Sequence, residues 1–349
     1  MKVTSNLADI ADGLERTARG PLVLLFYDGY ERKVIPGFGG ELISQSLRLA
    51  RFLKRSAMRQ QVRTGFYTAF LGLVKSLEAV GCDIRINDFA AARRRPGYPI
   101  GLAGYPTVIS KVDLPNPVIL GPGDPGLPPA AARTIQDPRF KKIIQPSDWI
   151  SDIYVPLCGD KVLTWFAGID TGDWPDYANE PKTVDFIVYD KIRWNRDTQV
   201  PAVLDRVTRR LTQDGRSFTV LRYGAHHHSE FKAALKKSKA LIFLCEHETQ
   251  GLAYQEALSA NIPVLAWDEG KMIDPVLHPY LLENTEVSSV PYFSDACGRR
   301  FKIDQFESVY EAFWRLLGTF QPRKYVEDTL SLPKAGEIYL KAYAELARR

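Results

Sequence analysis

The chain has 349 residues, 45% hydrophobic and 25% charged, with a formal net charge of +5. That length allows two domains with separate cores, the composition excludes a disordered or fibrous chain, and so mild a positive balance does not demand nucleic acid. No apolar run approaches the roughly 18 residues of a membrane span, and Cys82, Cys158, Cys245 and Cys297 form no Cys-x-x-Cys pair, so reduced thiols, no signal peptide and a cytoplasmic enzyme are expected.

Residues 1–20 read as a polar helix ending at Gly20-Pro21, ahead of a buried strand at Leu22–Tyr27. After a Gly-rich loop, Glu41–Arg59 carries apolar residues at helical spacing, and Leu42, Ile43, Leu47, Ala50, Leu53 and Ala57 are expected to face inward. Arg48, Arg51, Arg55 and Arg59 then form a basic stripe. It is either a solvated face or a contact for an anionic membrane surface or a phosphorylated acceptor. Thr64-Gly65-Phe66-Tyr67 precedes a helix reaching Val80, which Gly81 closes before a strand at Asp83–Asn87. Arg93-Arg94-Arg95 reads as a charged surface loop. A strand at Val118–Leu120 runs into the turn Gly121-Pro122-Gly123-Asp124. Lys141–Ile144 and Val162–Phe166 are further strands, with a helix starting at Ser147 between them. Gly168-Ile169-Asp170 and the Pro-, Asp- and Gly-rich stretch Thr171–Lys182 mark a domain end and a linker.

In the second half, a strand at Asp185–Tyr189 leads into Asp190-Lys191-Ile192-Arg193-Trp194-Asn195-Arg196, a loop with three cations. A helix at Thr198–Gln213, a strand at Ser217–Tyr223 and a helix at Glu230–Lys237 follow. His226, His227 and His228 cannot converge on one metal from a regular element, and Cys245 with His247 lacks the second half of a zinc site, so no metal is expected. Ala240–Cys245 is a buried strand. Thr249 is the expected N-cap of a helix over Leu252–Ala260, which Asn261 can close in a left-handed conformation before the strand Pro263–Trp267. Strand, turn, helix and strand make the unit of a parallel sheet, whose ligands sit outside the carboxyl ends of its strands. The turn from Glu248 to Leu252 offers unpaired N–H groups, a glycine that permits close approach and the positive end of a helix dipole. These suit a phosphate or a sugar hydroxyl. Glu248 and Glu256 add carboxylates at two depths, able to accept hydrogen bonds from two polyols. Val309–Arg349 is largely helical, with a break near Pro322.

Glu248, seven residues, then Glu256, with Gly251-Leu252 between and Ala257 after, resembles the E-x7-E signature of retaining GT-B glycosyltransferases of the family-4 type. The resemblance is close over roughly residues 180–275 and covers the N-terminal half in outline. It implies an α/β chain with two Rossmann-like domains facing each other across a cleft. The acceptor-side domain would span 1–170, the linker 171–182 and the nucleotide-sugar-binding domain 183–315, with helices over 316–349 crossing back to the first domain. In that family the first glutamate and the amides after it hold the transferred sugar, which implies this role for Glu248, Thr249, Gln250, Gly251 and Leu252. The second glutamate, here Glu256, binds the nucleotide ribose. The usual turn reads Glu-Gly-Phe-Gly, whereas Glu248-Thr249-Gln250-Gly251 keeps the glutamate and the last glycine and alters the two positions between. Lys191 and Arg196 match the positions of the family's Arg and Lys that meet the diphosphate, with the two residue types exchanged; Arg193 is a third candidate. Tyr223 and Gly224 match a turn near the base and phosphates, and Gly65 the N-terminal turn that approaches donor phosphate and acceptor. The family's N-terminal-domain histidine has no counterpart, because all five histidines lie between 226 and 278; Asp124 is the candidate for that side.

The resemblance implies metal-independent, retaining transfer of a sugar from a nucleotide-diphosphate sugar to a glycan, lipid or small-molecule acceptor. No further cofactor and no nucleic acid are implied, and the expected location is cytoplasmic, with peripheral contact to an anionic membrane. Other readings are a GT-B nucleotide-sugar binding protein without transferase activity, an epimerase, or a phosphorylase, although no lysine stands out as a pyridoxal carrier.

Overall fold

The computed structural model describes residues 10–37, 39–57 and 64–348. Its described residues form two units, one of residues 10–168 with 331–348, the other of residues 169–330.

In the first unit the apolar run of the opening strand sets the pattern. The elements are β1 (Arg16–Thr17), β2 (Gly20–Asp28), α1 (Gly40–Ala57), α2 (Gly65–Ala79), β3 (Asp83–Ile86), β4 (Ile100–Gly104), β5 (Val118–Gly123), β6 (Phe140–Gln145), α3 (Asp148–Cys158) and β7 (Val162–Thr164). Leu22 to Tyr27 are all buried, as expected of a parallel strand covered on both faces. β3 and β4 flank β2, and β5, β6 and β7 follow outward from β4; only β1 pairs antiparallel. α2 is capped by Thr64, whose side chain accepts from Tyr67 N, and it buries Tyr67, Phe70, Leu73 and Leu77 at helical spacing. The C-terminal helix Leu332–Ala347 packs beside it. A Cβ on Gly336 would fall 2.3 Å from Ser76 O, so only glycine permits that approach.

Two expectations for this unit need correction, and one strand was not foreseen. Residues 10–20 do not form a polar helix, and residues 1–9 lie outside the described residues. Gly13 and Gly20 take positive φ, and Thr17 Oγ1 donates to Asp83 Oδ2 at 2.9 Å, which pins the segment as the strand β1. The strand β4 was illegible because two of its five residues are glycines; a Cβ on Gly101 would meet Tyr339 OH at 2.2 Å. The helix α1 forms, but Leu42, Ile43, Leu47, Ala50 and Leu53 are exposed instead of inward. Arg59 and the side chains of Arg55 and Ala57 lie outside the described residues.

The second unit contains β8 (Val184–Asp190), α4 (Asp205–Gln213), β9 (Phe218–Arg222), α5 (His228–Lys237), β10 (Ser238–Leu244), α6 (Leu252–Ser259), β11 (Val264–Trp267), β12 (Gly298–Phe301), α7 (Phe306–Arg315) and α8 (Pro322–Thr329). Its five strands run parallel in the order β9-β8-β10-β11-β12. One face packs Phe186, Val188, Ile242, Leu244 and Leu265 against Val207 and Leu211 of α4 and Phe306, Tyr310 and Phe313 of α7. On the other, Tyr189 meets Phe231 of α5 at 5.3 Å and Phe243 meets Tyr254 of α6 at 5.6 Å between ring centroids. The edge strand β12, two of whose four residues are arginines, gave no apolar signal.

Residues 171–182, expected as a linker, are packed into this unit. Trp174 is buried against His228 and Phe231, and Tyr177 N donates to Ala260 O at 3.0 Å. Within the expected tail, α8 packs on α6 in the second unit, and only the helix from Leu332 onward belongs to the first.

Candidate functional site

Strand order in the second unit reverses between β8 and β10, and such a reversal opens a crevice at the carboxyl ends of the strands. Asp190, the last residue of β8, lies beside Leu244, the last of β10, and Lys191 N donates to Leu244 O at 2.8 Å. The loop 191–196 is thereby set against the turn 245–251.

Glu246 ties the two together. Its buried carboxylate accepts from Arg193 N at 3.0 and 3.2 Å and from Trp194 N at 3.0 Å. Arg193 Nη2 donates to His247 O at 2.6 Å, and its guanidinium lies 4.2 Å from the centre of the Trp194 ring. The indole stacks on His247 with 4.6 Å between centroids. Burial, reinforced by the Arg193 charge, pushes the His247 imidazole down to about 4, so at neutral pH the ring is uncharged.

Lys191 and Glu248 form a buried ion pair at the centre of the site. Lys191 Nζ also lies 4.4 Å from the centre of the Tyr223 ring, and Cys245 Sγ donates to Glu248 Oε1 at 3.3 Å. Burial opposes both charges, but each partner's field outweighs it: the Glu248 carboxyl is held below its ordinary range and the Lys191 ammonium above its own. Glu248 N donates to Ser288 O at 3.0 Å, and that segment is held by Asp268, which accepts from Ser288 Oγ at 2.6 Å and Ser289 N at 3.1 Å.

Gly251 begins α6 with φ +82°, where a Cβ would lie 2.3 Å from the Tyr254 ring. Gly251 and not Thr249 is therefore the N-cap, because only glycine turns the chain left-handed this close to an aromatic ring. Thr249 is exposed. Gln250 is buried and its Nε2 donates to Gln255 Oε1 at 3.1 Å, so its side chain turns back into the unit. Asn261 does close the helix with φ +62°. One turn into α6, the side chain of the partly buried Glu256 makes no hydrogen bond or ion pair among the described residues. Desolvation pushes its carboxyl up to about 8, against the weaker pull of Lys232 and Lys191.

Of the sequence-selected residues, the structure brings Lys191, Tyr223 and Glu248 into direct contact, with Arg193 beside them through the His247 carbonyl. Gly224 follows Tyr223 with φ +77°. Arg196 is turned away: its guanidinium forks onto Asp190 at 3.0 and 2.7 Å and donates to Ile192 O. His226, His227 and His228 do three separate things, facing Arg222 O, capping α5 and packing on Trp174. Among the described residues no group of three or more His, Cys, Asp or Glu side chains could hold a metal ion. Gly65 and Asp124 belong to the first unit. Gly65 opens α2 with open space where a Cβ would stand, and Asp124 follows β5, its side chain accepting from Gly126 N at 2.8 Å.

Sequence reasoning missed Glu246, Trp194, Asp268 and Ser288. An acid directly after a buried strand end was the available signal for Glu246; the others became visible only through strand order.

No protein-family model and no curated protein matches the chain. Solved structures do. Sucrose-phosphate synthase from Thermosynechococcus elongatus is similar over 93% of this chain and 99% of that one, at 10% identity and a TM-score of 0.56. The lipopolysaccharide outer core galactosyltransferase WaaB, in its apo form, covers the same shares at 9% identity and a TM-score of 0.52. AviGT4, a glycosyltransferase involved in avilamycin A biosynthesis, is similar over 94% of this chain and 98% of that one, at 12% identity and a TM-score of 0.51. The fold is GT-B. At such identities the likeness is one of GT-B architecture, two α/β units of Rossmann type.

Proposed function

We propose that this GT-B chain is a retaining, metal-independent glycosyltransferase of the family-4 type that takes a sugar from a nucleotide-diphosphate donor to a glycan, lipid or small-molecule acceptor. The observation that carries the reading is the Lys191–Glu248 pair at the reversal point of the parallel sheet, beside Tyr223 and the start of α6. A buried ammonium suits a diphosphate oxygen, and a carboxylate at a helix start suits a sugar hydroxyl. An arriving donor offers both groups at once, so each partner exchanges its mate for the ligand without a buried charge being left alone.

In the proposed reaction the bond between sugar C1 and the diphosphate oxygen breaks with oxocarbenium character at C1. Lys191, Arg193 and the amides of the turn 249–252 stabilise the departing charge. The acceptor oxygen attacks the face that the diphosphate leaves, and its proton passes to a phosphate oxygen. Glu256 holds the ribose, which does not react. Arg196 acts through Asp190 by fixing the end of β8, Asp124 is assigned to the acceptor side, and Gly65 to the turn that approaches donor phosphate and acceptor. A nucleotide-sugar binding protein without transfer is the second reading, motivated by the altered turn Thr249-Gln250, and detectable donor hydrolysis argues against it.

A thermal-shift screen of nucleotide sugars identifies the donor, since a ligand at one hundred times its Kd adds about 2.7 kcal/mol. With that donor, Glu248→Gln is expected to lower kcat at least tenfold (about 1.4 kcal/mol) while the free nucleoside diphosphate still binds. Glu256→Ala is expected to raise KM by the equivalent of about 1–3 kcal/mol with little change in kcat. Parent kinetics in both variants would remove the assignment.

A further inference from the structure

The two edges of the second unit's sheet are finished differently. β12 carries Arg299 and Arg300 at its centre, and charges on an edge strand keep other strands away. β9 reads Phe218-Thr219-Val220-Leu221-Arg222, with neither proline nor lysine, and no strand pairs with its outer side among the described residues. Its bonds to β8 use the odd-numbered residues, from Ser217 O, which accepts from Phe186 N at 3.1 Å, to Tyr223 N, which donates to Asp190 O at 2.9 Å. The N–H groups of Phe218, Val220 and Arg222 and the carbonyls of Phe218 and Val220 are thereby directed outward.

Beside this edge, between β9 and α4, runs a groove of about 640 Å³ lined by Phe218, Val220, Asp205, Thr208, Arg209 and Thr212. Val220 is 42% exposed. The other charges of α4 are paired within the unit, Arg206 with Glu307 at 2.7 Å and Arg210 with Glu311 at 2.8 Å. Asp205 and Arg209, both exposed and one turn apart on the groove side, make no ion pair with the described residues.

An acid and a base left unpaired one helical turn apart form a self-complementary set. Turned about a two-fold axis, each copy can bring its Asp205 to the other's Arg209. The strand is self-complementary as well. In an antiparallel pair centred on Val220, the two valines exchange both backbone bonds. Phe218 then stands opposite Arg222 of the second copy on the groove face, ring against guanidinium. We propose that the chain forms a two-fold dimer through β9, which joins two five-stranded sheets into one and covers the groove beside α4. An unrelated extended peptide could satisfy the backbone groups, but only a second copy supplies the same two charges in the reversed order. The dimer stands apart from the chemistry of the candidate site and does not depend on sugar transfer.

Sedimentation equilibrium of the full chain over a range of concentrations reads the association, and a dimer is expected. Val220→Lys sets two ammonium groups directly opposite each other at the two-fold and should raise the dimer Kd at least about tenfold. Its thermal unfolding midpoint, taken at a concentration where the parent is also monomeric, should match the parent's, because Val220 is exposed. Arg209→Asp, at an exposed helix position, sets acid against acid and should weaken the dimer several-fold. Adding Asp205→Arg restores opposite charges in reverse order and should recover the parent's association. A chain that is monomeric at every concentration, a dimer that Val220→Lys leaves intact, an Arg209→Asp variant that associates like the parent, or a double exchange that fails to recover would each overturn the proposal.

Discussion

Glu256 and Glu248 are both carboxylic acids at the start of one βα unit, yet their surroundings set them in opposite protonation states. Lys191 keeps Glu248 ionised, while desolvation holds Glu256 neutral up to about pH 8 against an ordinary value of 4.5. The folded state therefore binds a proton at Glu256 that the unfolded state has released above pH 4.5. Stability from this group is present below that value, falls as pH rises and is gone above about 8. Glu256→Gln removes the titration. The variant should match the parent near pH 5 and exceed it by a few kcal/mol at pH 8, at most about 1.4 kcal/mol per unit, in urea unfolding at both pH values. Removing Lys191 instead strands a buried carboxylate. Lys191→Ala should cost roughly 3–5 kcal/mol at neutral pH and recover part of that in acid, where Glu248 can take a proton. Neither contrast was legible in the sequence, which showed two glutamates eight positions apart and nothing of what surrounds them.

At the scale of elements, the site depends on one loop being fastened to another. The parallel register of β8 with β10 brings Asp190 beside Leu244, and Glu246 then accepts from the amides of Arg193 and Trp194. Glu246→Ala would leave two N–H groups without their acceptor, a cost of about 1–3 kcal/mol each. It should lower the denaturation midpoint and weaken nucleoside diphosphate binding together. Glu246→Gln, whose amide oxygen can still accept from both, should retain most of each property. The close of the helix in the same region was readable in advance: Asn261 takes positive φ, as a residue that ends a short helix just before a proline should. Thr249 misled because side-chain capping is a local preference, and the close Tyr254 ring hands the cap to a residue without Cβ.

For the whole molecule, the last helix completes the first unit's core. Tyr339 and Tyr343 are buried, Trp165 Nε1 donates to Ala335 O at 2.8 Å, and Tyr343 OH accepts from Leu24 N at 2.9 Å while donating to the Pro99 carbonyl. Tyr343→Phe should lower stability by about 1–3 kcal/mol, because the Leu24 amide in the central strand β2 loses its acceptor; calorimetry of the full chain reads the shift. The sequence alone determined the α/β class, the strands β2, β8, β10 and β11 and the βα unit that carries Glu248, because a strand covered on both faces must be continuously apolar and a helix must begin and end on residues that tolerate its termini. It missed β4 and β12, where glycine or arginine replaces apolar bulk, and it placed the apolar side of α1 inward. Only the tertiary structure decided those points, together with the pairing of Lys191 with Glu248, the turning of Arg196 onto Asp190 and the proton on Glu256. Periodicity tells that a helix has an apolar face, but what meets that face, and which charge meets which, depends on how the fold brings its elements and loops together.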